Sequence, residues 1–142
     1  MLLLVIHLVA TAAMAGLIWF VQVVHYPLFT AVGASEFTSY EQQHTRLTSW
    51  VVGPFMAVEG VSALAILAIR PEGVPLWLIF AGLILLAVIH GSTIFLQVPA
   101  HGILTERFDT ETASRLVRTN WLRTVGWSLR SLVAAAMILT SV

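Results

Sequence analysis

Four apolar runs, Leu2–Val24, Trp50–Ile69, Val74–Val98 and Trp121–Val142, are separated by three polar intervals of unequal length. Each run has about 20 residues, enough to cross a hydrocarbon core of ~30 Å as a helix. The first run should close at His25-Tyr26-Pro27, because the residue before a proline is pushed out of the helical region. The following interval is too long for a plain loop in a compact domain. In it Phe37, Tyr40, His44, Leu47 and Val51 recur at helical spacing behind Ser35, a plausible N-cap. An amphipathic helix from Glu36 should therefore run into the second apolar run, with a kink near Pro54.

Arg70-Pro71-Glu72-Gly73 reads as a tight turn between antiparallel helices. Pro99 should end the third helix, and Asp109 should cap a fourth that is continuous into the last apolar run. The expected elements are helices over about 2–24, 36–69, 74–98 and 110–141. The fold class is all-α: an integral membrane four-helix bundle of two helical hairpins, forming a single transmembrane domain. The halves also look alike. Phe20-Val21-Gln22-Val23 parallels Phe95-Leu96-Gln97-Val98, each followed by a proline and a histidine, which points to an internal parallel repeat. Downstream, Phe37, Tyr40 and His44 would match Ala113, Leu116 and Asn120.

Composition sharpens this picture. Charged residues make up 10% and hydrophobic residues 58%, against about 25% charged in soluble domains, which excludes an ordinary soluble bundle. With no cysteine, disulfides, thiolate metal sites, iron–sulfur clusters and covalent c-type haem are excluded. Every basic residue is arginine, so Schiff-base chemistry is absent and each basic side chain keeps its charge. A formal net charge of zero gives no reason to expect nucleic acid. Ala13-Met14-Ala15 has the look of a signal-peptidase site, but no basic residue precedes the run and it continues unbroken to Val24, so a retained helix is expected. Arg46, Arg107, Arg115 and Arg118 lie on the longer connections and only Arg70 on the short turn. The positive-inside rule then puts the long connections in the cytoplasm and both termini outside, in a bacterial inner membrane.

The polar residues within the helices fall on shared faces. Glu41, His44, Thr48, Phe55 and Glu59 lie on one, Asn120, Arg123, Trp127 and Arg130 on another, and His90, Gln97 and His101 near a third. A charge at bilayer depth costs at least ~2.5–3.5 kcal/mol, so it turns inward and finds a partner. Glu59 and Arg130 lie about equally deep and should pair. The expected site is a polar cavity toward the long connections, lined by His25, His44, Glu59, His90, His101, Asn120, Arg123 and Arg130. The bland alternative is that these side chains simply bond helices together. His7, toward the other end, reads as packing or interfacial.

Three chemistries fit such a cavity. A metal is one: Glu41-Gln42-Gln43-His44 has the Glu-x-x-His spacing of carboxylate-bridged bundles. A di-iron centre needs a second such pair, where this chain has Val117 and Asn120, which leaves a mononuclear zinc, copper or iron site from His25, His44 and His101 with the Glu41 carboxylate. Haem between two of His25, His44, His90 and His101 is another, with His90, Glu59 and Arg130 as further cofactor contacts. The third is a pocket for a hydrophobic small molecule, with arginine as oxyanion clamp and histidine as acid or base. Tyr26, Phe29, Trp50, Trp121 and Trp127 are candidate walls, although Trp50 and Trp121 read better as anchors at the membrane boundary.

The four-helix layout, the histidine and proline after the first helix, and Asn120-Trp121-Leu122-Arg123 leading into the last resemble bacterial membrane proteins around the anthrone-oxygenase-like group. Gln22-Val23-Val24-His25-Tyr26-Pro27 and His44-Thr45-Arg46 are nearer to a bacterial four-helix family without an assigned activity. The wider resemblance implies oxidation of a phenolic polycyclic substrate to a quinone by dioxygen, without an obvious protein-bound cofactor. It would make His25 and His44 candidate bases and Asn120 and Arg123 stabilisers of the phenolate. Three function classes follow: an oxidoreductase or oxygenase on an aromatic or quinone-like molecule, a non-catalytic module binding metal, haem or a lipid-like ligand, and a small transporter. Polar residues gathered at one end rather than threading the bilayer count against the last.

Overall fold

A computed structural model describes all 142 residues and contains helices and turns but no strand. Four helical stretches, Leu2–Ala31, Ala34–Ile69, Leu76–Glu106 and Thr110–Thr140, are long and apolar enough to cross a membrane. They form a four-helix bundle, and the protein is an integral membrane protein. Its outward faces carry Val9, Val61, Leu64, Phe95, Leu132 and Leu139, all exposed, as lipid contact requires.

The first stretch is α1 (Leu2–Phe20), followed by a π-helical turn (Val21–His25) and a 3₁₀ turn (Pro27–Ala31). Next comes α2 (Ala34–Ile69). The third stretch is α3 (Leu76–Ser92), a second π-helical turn (Thr93–Gln97) and α4 (Val98–Glu106); the last is α5 (Thr110–Thr140).

Several boundaries differ from expectation. The α2 N-cap is Gly33, not Ser35, while Asp109 does cap α5 by accepting the Thr112 N–H at 2.8 Å. As expected, α2 runs on through Pro54 to Ile69. Pro99 does not end the third stretch, because α4 continues to Glu106. The π turns explain how. The Tyr26 N–H bonds the Val21 carbonyl and the Val98 N–H the Thr93 carbonyl, one residue wider than an α turn, and each donor immediately precedes a proline. The wider turn carries the ring past the carbonyl it would otherwise strike.

The halves are thus alike in backbone, but the two π turns superpose His25 on Gln97. Matching Gln22 to Gln97, as the sequence does, shifts that register by three residues.

Around the bundle, α1 packs on α2 and α5, and α5 packs on α3; the seam between α2 and α3 is the least closely packed of the four. Two glycines allow close approach. A Cβ at Gly126 would lie 2.7 Å from Ile89 Cγ1, so α5 meets α3 there with no room for a side chain. Gly73 has φ 78°, in the left-handed region, and a Cβ there would fall 2.4 Å from the Thr140 carbonyl oxygen. Trp50, Trp77 and Trp121 are exposed, as anchors at the membrane boundary should be.

The core is layered. At the end carrying the long connections, Tyr26, Phe29, Phe37, Ala100, Leu104, Ala113 and Leu116 form one apolar layer. Met14, Ile18, Ile89 and Trp127 form a second, and Leu4, Ile66, Leu78, Ile79 and Met137 a third beside the termini. Buried polar side chains occupy the two intervals between these layers. The expectation of a single polar region is corrected to two, separated by Trp127 and its neighbours.

Candidate functional site

The deeper interval is a closed network. Glu59 Oε1 accepts from Arg130 Nε at 2.7 Å, and Oε2 accepts from the Trp127 indole N–H at 2.9 Å. Arg130 also donates to the Gly82 carbonyl and lies 3.5 Å from His7 Nε2. His7 Nδ1 meets Ser62 Oγ at 2.8 Å, and Ser62 donates to the Glu59 carbonyl at 3.1 Å. One proton assignment satisfies this chain: His7 is neutral, donates from Nδ1 to Ser62 and accepts from Arg130 at Nε2. The expected Glu59–Arg130 pair is present. It lies away from the cavity described below, so Glu59 and Arg130 are not brought to the other candidate site residues. His7 is buried and belongs to this network.

The second interval, nearer the long connections, gathers most of the remaining candidates. The π turn at the end of α1 presents His25, whose Nε2 lies 2.8 Å from His44 Nδ1. Glu41 and His44, one turn apart on α2, share a face. From α4, His101 bonds the fully buried Glu41 through Nδ1 and lies 3.0 Å from the Tyr26 hydroxyl through Nε2. Thr48 Oγ1 lies 3.1 Å from His44 Nδ1, while His44 Nε2 makes no hydrogen bond.

From α5, Asn120 donates to Gln22 Oε1 at 2.9 Å and accepts from Arg123 at 3.2 Å. Arg123 is buried at 7% exposure, with its guanidinium carbon 5.2 Å from the Trp127 ring centre. It has no carboxylate within 4.0 Å, since the ion pairs are Glu41–His101 and Glu59–Arg130. Its Nε has no hydrogen-bond partner; neither has Glu41 Oε2 nor Gln97 Oε1.

A cavity of about 390 Å³ lies between α2 and the second π turn with α4, with the end of the first stretch and Arg123 of α5 completing its wall. Met14, Leu17, Ile18, Val21 and Val52 form its apolar side, and Tyr26, His44, Gln97, His101 and Arg123 its polar side. Exposed Ser49, Val98 and Gly102 on its rim show that it reaches the surface between α2 and α4. His25 stands behind His44, on a separate surface hollow with Tyr40 and Gln43.

The remaining expectations fare differently. His90 bonds the Leu86 carbonyl of its own helix at 3.1 Å and joins neither cluster. Trp127 and Phe29 are core residues rather than cavity walls, whereas Tyr26 is a wall. His25 and His44 touch, with ring centres 4.4 Å apart, so the pair as placed leaves no gap for a haem. Gln97, read from the sequence only as sharing a face with His90 and His101, was not expected in the cavity wall. The proline two residues after it could have flagged it, since a π turn before proline re-aims the side chains around it.

Fold and site together define an integral membrane four-helix bundle with a polar-walled cavity toward the end carrying the long connections. No known protein family, curated protein or solved structure matches the chain.

Proposed function

We propose that the protein is a membrane oxidoreductase acting on an acidic aromatic, phenol- or quinone-like molecule held in the α2–α4 cavity. The observation that carries this is Arg123: a buried guanidinium with no carboxylate partner and an unpartnered Nε, on the wall of a largely apolar cavity. An unpaired charge at bilayer depth is costly and marks function more often than packing. The complementary ligand has an apolar ring body and one anionic oxygen, which a phenolate supplies. Arg123 favours the ionised phenol by its opposite charge. His44, on the same wall, takes the proton as base, with His25 behind it to accept it onward.

Supported by the resemblance in sequence, the reaction is oxidation by dioxygen. The phenol loses its O–H and the C–H para to it, one oxygen atom becomes the new quinone carbonyl, and the other leaves as water with the two hydrogens. Atoms and electrons balance with dioxygen as the sole oxidant.

Orientation follows the exposed arginines. By the positive-inside rule, Arg46, Arg107, Arg115 and Arg118 at the cavity end favour the cytoplasmic side of a bacterial inner membrane for it, with both termini outside. The test uses protein in nanodiscs and a polycyclic phenol whose phenolate absorbs at longer wavelength. Binding with a red shift, and loss of at least about tenfold in affinity on Arg123→Gln, supports the reading. Equal binding by both proteins overturns it.

A further inference from the structure

We propose that Glu41, His44 and His101 bind one divalent transition-metal ion at the polar wall of the cavity. Each offers a ligand atom, and these atoms all lie within 4.8 Å of one another. Two of the three stand one helical turn apart on α2, and the third comes from α4.

The independent sign is Glu41 itself. Its side chain is fully buried, its Oε2 has no hydrogen-bond partner, and its only ionic neighbour is a histidine. A buried carboxylate so poorly compensated is expensive in a membrane, and a cation at its free oxygen removes the cost.

Each imidazole has one nitrogen engaged by a neighbour outside the three. His101 Nδ1 faces Glu41 while Nε2 meets the Tyr26 hydroxyl. A metal ion entering between His101 and Glu41 displaces the proton they share, and Nε2–H then donates to Tyr26. His44 leaves Nε2 free while His25 and Thr48 hold Nδ1. A ligating histidine fixed through its other nitrogen is the usual arrangement around protein-bound metals.

His25 therefore orients a ligand and is not itself one, which refines the set expected from sequence. Two histidines and one carboxylate leave coordination positions open, the donor set of non-haem iron(II) sites; zinc also accepts it. His44 and His101 both line the cavity, whereas Glu41 does not. The assignment stands on these three side chains and not on what the cavity holds; an ion on His44 takes the place of its role as base, and ionisation of a phenol then rests on Arg123 and the cation.

The test is titration of the metal-stripped, full-length protein in nanodiscs with Co²⁺, followed by visible absorption and elemental analysis. One Co²⁺ per chain, displaced by Zn²⁺, is expected. Glu41→Gln and His101→Gln should each weaken binding by more than about 100-fold, and His25→Ala by ~10–100-fold, the range for residues that orient a ligand. His90→Ala should change nothing.

Should the ligand variants fail to purify, the wild type alone decides: Zn²⁺ should protect His44 and His101 against histidine acylation, mapped by mass spectrometry. A wild-type protein that binds no Co²⁺, undiminished binding in Glu41→Gln, or unprotected histidines overturns the proposal. Phenol binding by metal-free wild type and Arg123→Gln keeps its failure separate from that of the cavity reading.

Discussion

The two polar layers of the bundle contain similar side chains and differ in how far they are satisfied. Around Arg130, both carboxylate oxygens of Glu59, both nitrogens of His7 and the Ser62 hydroxyl have partners. Around Arg123, a carboxylate oxygen, an amide oxygen and a guanidinium nitrogen have none, and a cavity opens beside them. Polar groups that close on one another bond helices together, which is their common use in membranes. Polar groups left open toward a cavity are shaped for something that enters it. Composition does not separate the two layers; hydrogen bonding of their charged and amide groups does, although the buried Thr11 hydroxyl of the deeper layer also has no partner.

The largest effect should come from breaking the closed layer. Removing one partner of a buried pair leaves an uncompensated charge and costs about 3–5 kcal/mol. Arg130→Met and Glu59→Gln should therefore each lower the thermal midpoint sharply, and the Glu59→Gln/Arg130→Gln double variant should be better tolerated than either single change. A double variant no better than the singles would rule out the pairing as a source of stability.

Next in size is the seam where α3 and α5 touch between the layers. Gly126→Val forces β-branched bulk into the space held by Ile89 and should cost roughly 1–3 kcal/mol as overpacking. Chemical denaturation in detergent measures it, and a neutral result would mean that the helices separate easily. Gly73→Ala, at positive φ against the Thr140 carbonyl, should destabilise by more than ~1 kcal/mol.

The smallest effect is at the cap of α5, outside the bilayer. The Thr112 hydroxyl and N–H both donate to Asp109 and hold its carboxyl below the usual carboxylate pKa. Its contribution is thus present above the unfolded value of about 4 and is lost as pH falls through the lower folded value. The protection of the Thr112 amide relative to its pH-dependent intrinsic exchange rate should fall only in acid, and in Asp109→Ala should be low at every pH. A wild-type protection that does not change through that range would refute the cap's role.

Much of this was legible in the sequence. Four apolar runs dictated four spanning helices, and equal depth along α2 and α5 brought Glu59 to Arg130. Glu-x-x-His spacing placed Glu41 and His44 on one face, and the long first connection brought His25 to them. Depth along the axis was harder to read. Hydropathy does not count layers, so His7 was not linked to Arg130, nor Glu59 separated from His44. The π turns were hidden because a proline after an apolar helix ordinarily signals its end, whereas here one wide turn lets the helix pass Pro99. His90 was indistinguishable by type from the cavity histidines, and only its bond to Leu86 sets it apart.

The most direct test of the central claim needs no ligand: the thermal midpoints of Arg123→Met and Arg130→Met, measured side by side in the same nanodiscs. If Arg123 is kept for a ligand and Arg130 for the fold, Arg123→Met should melt at or above the wild-type temperature, because an unpaired buried charge has been replaced by apolar volume. Arg130→Met should melt lower by about 10 °C or more. Equal and large losses in both variants would contradict this division of roles, making Arg123 one more strut of the bundle.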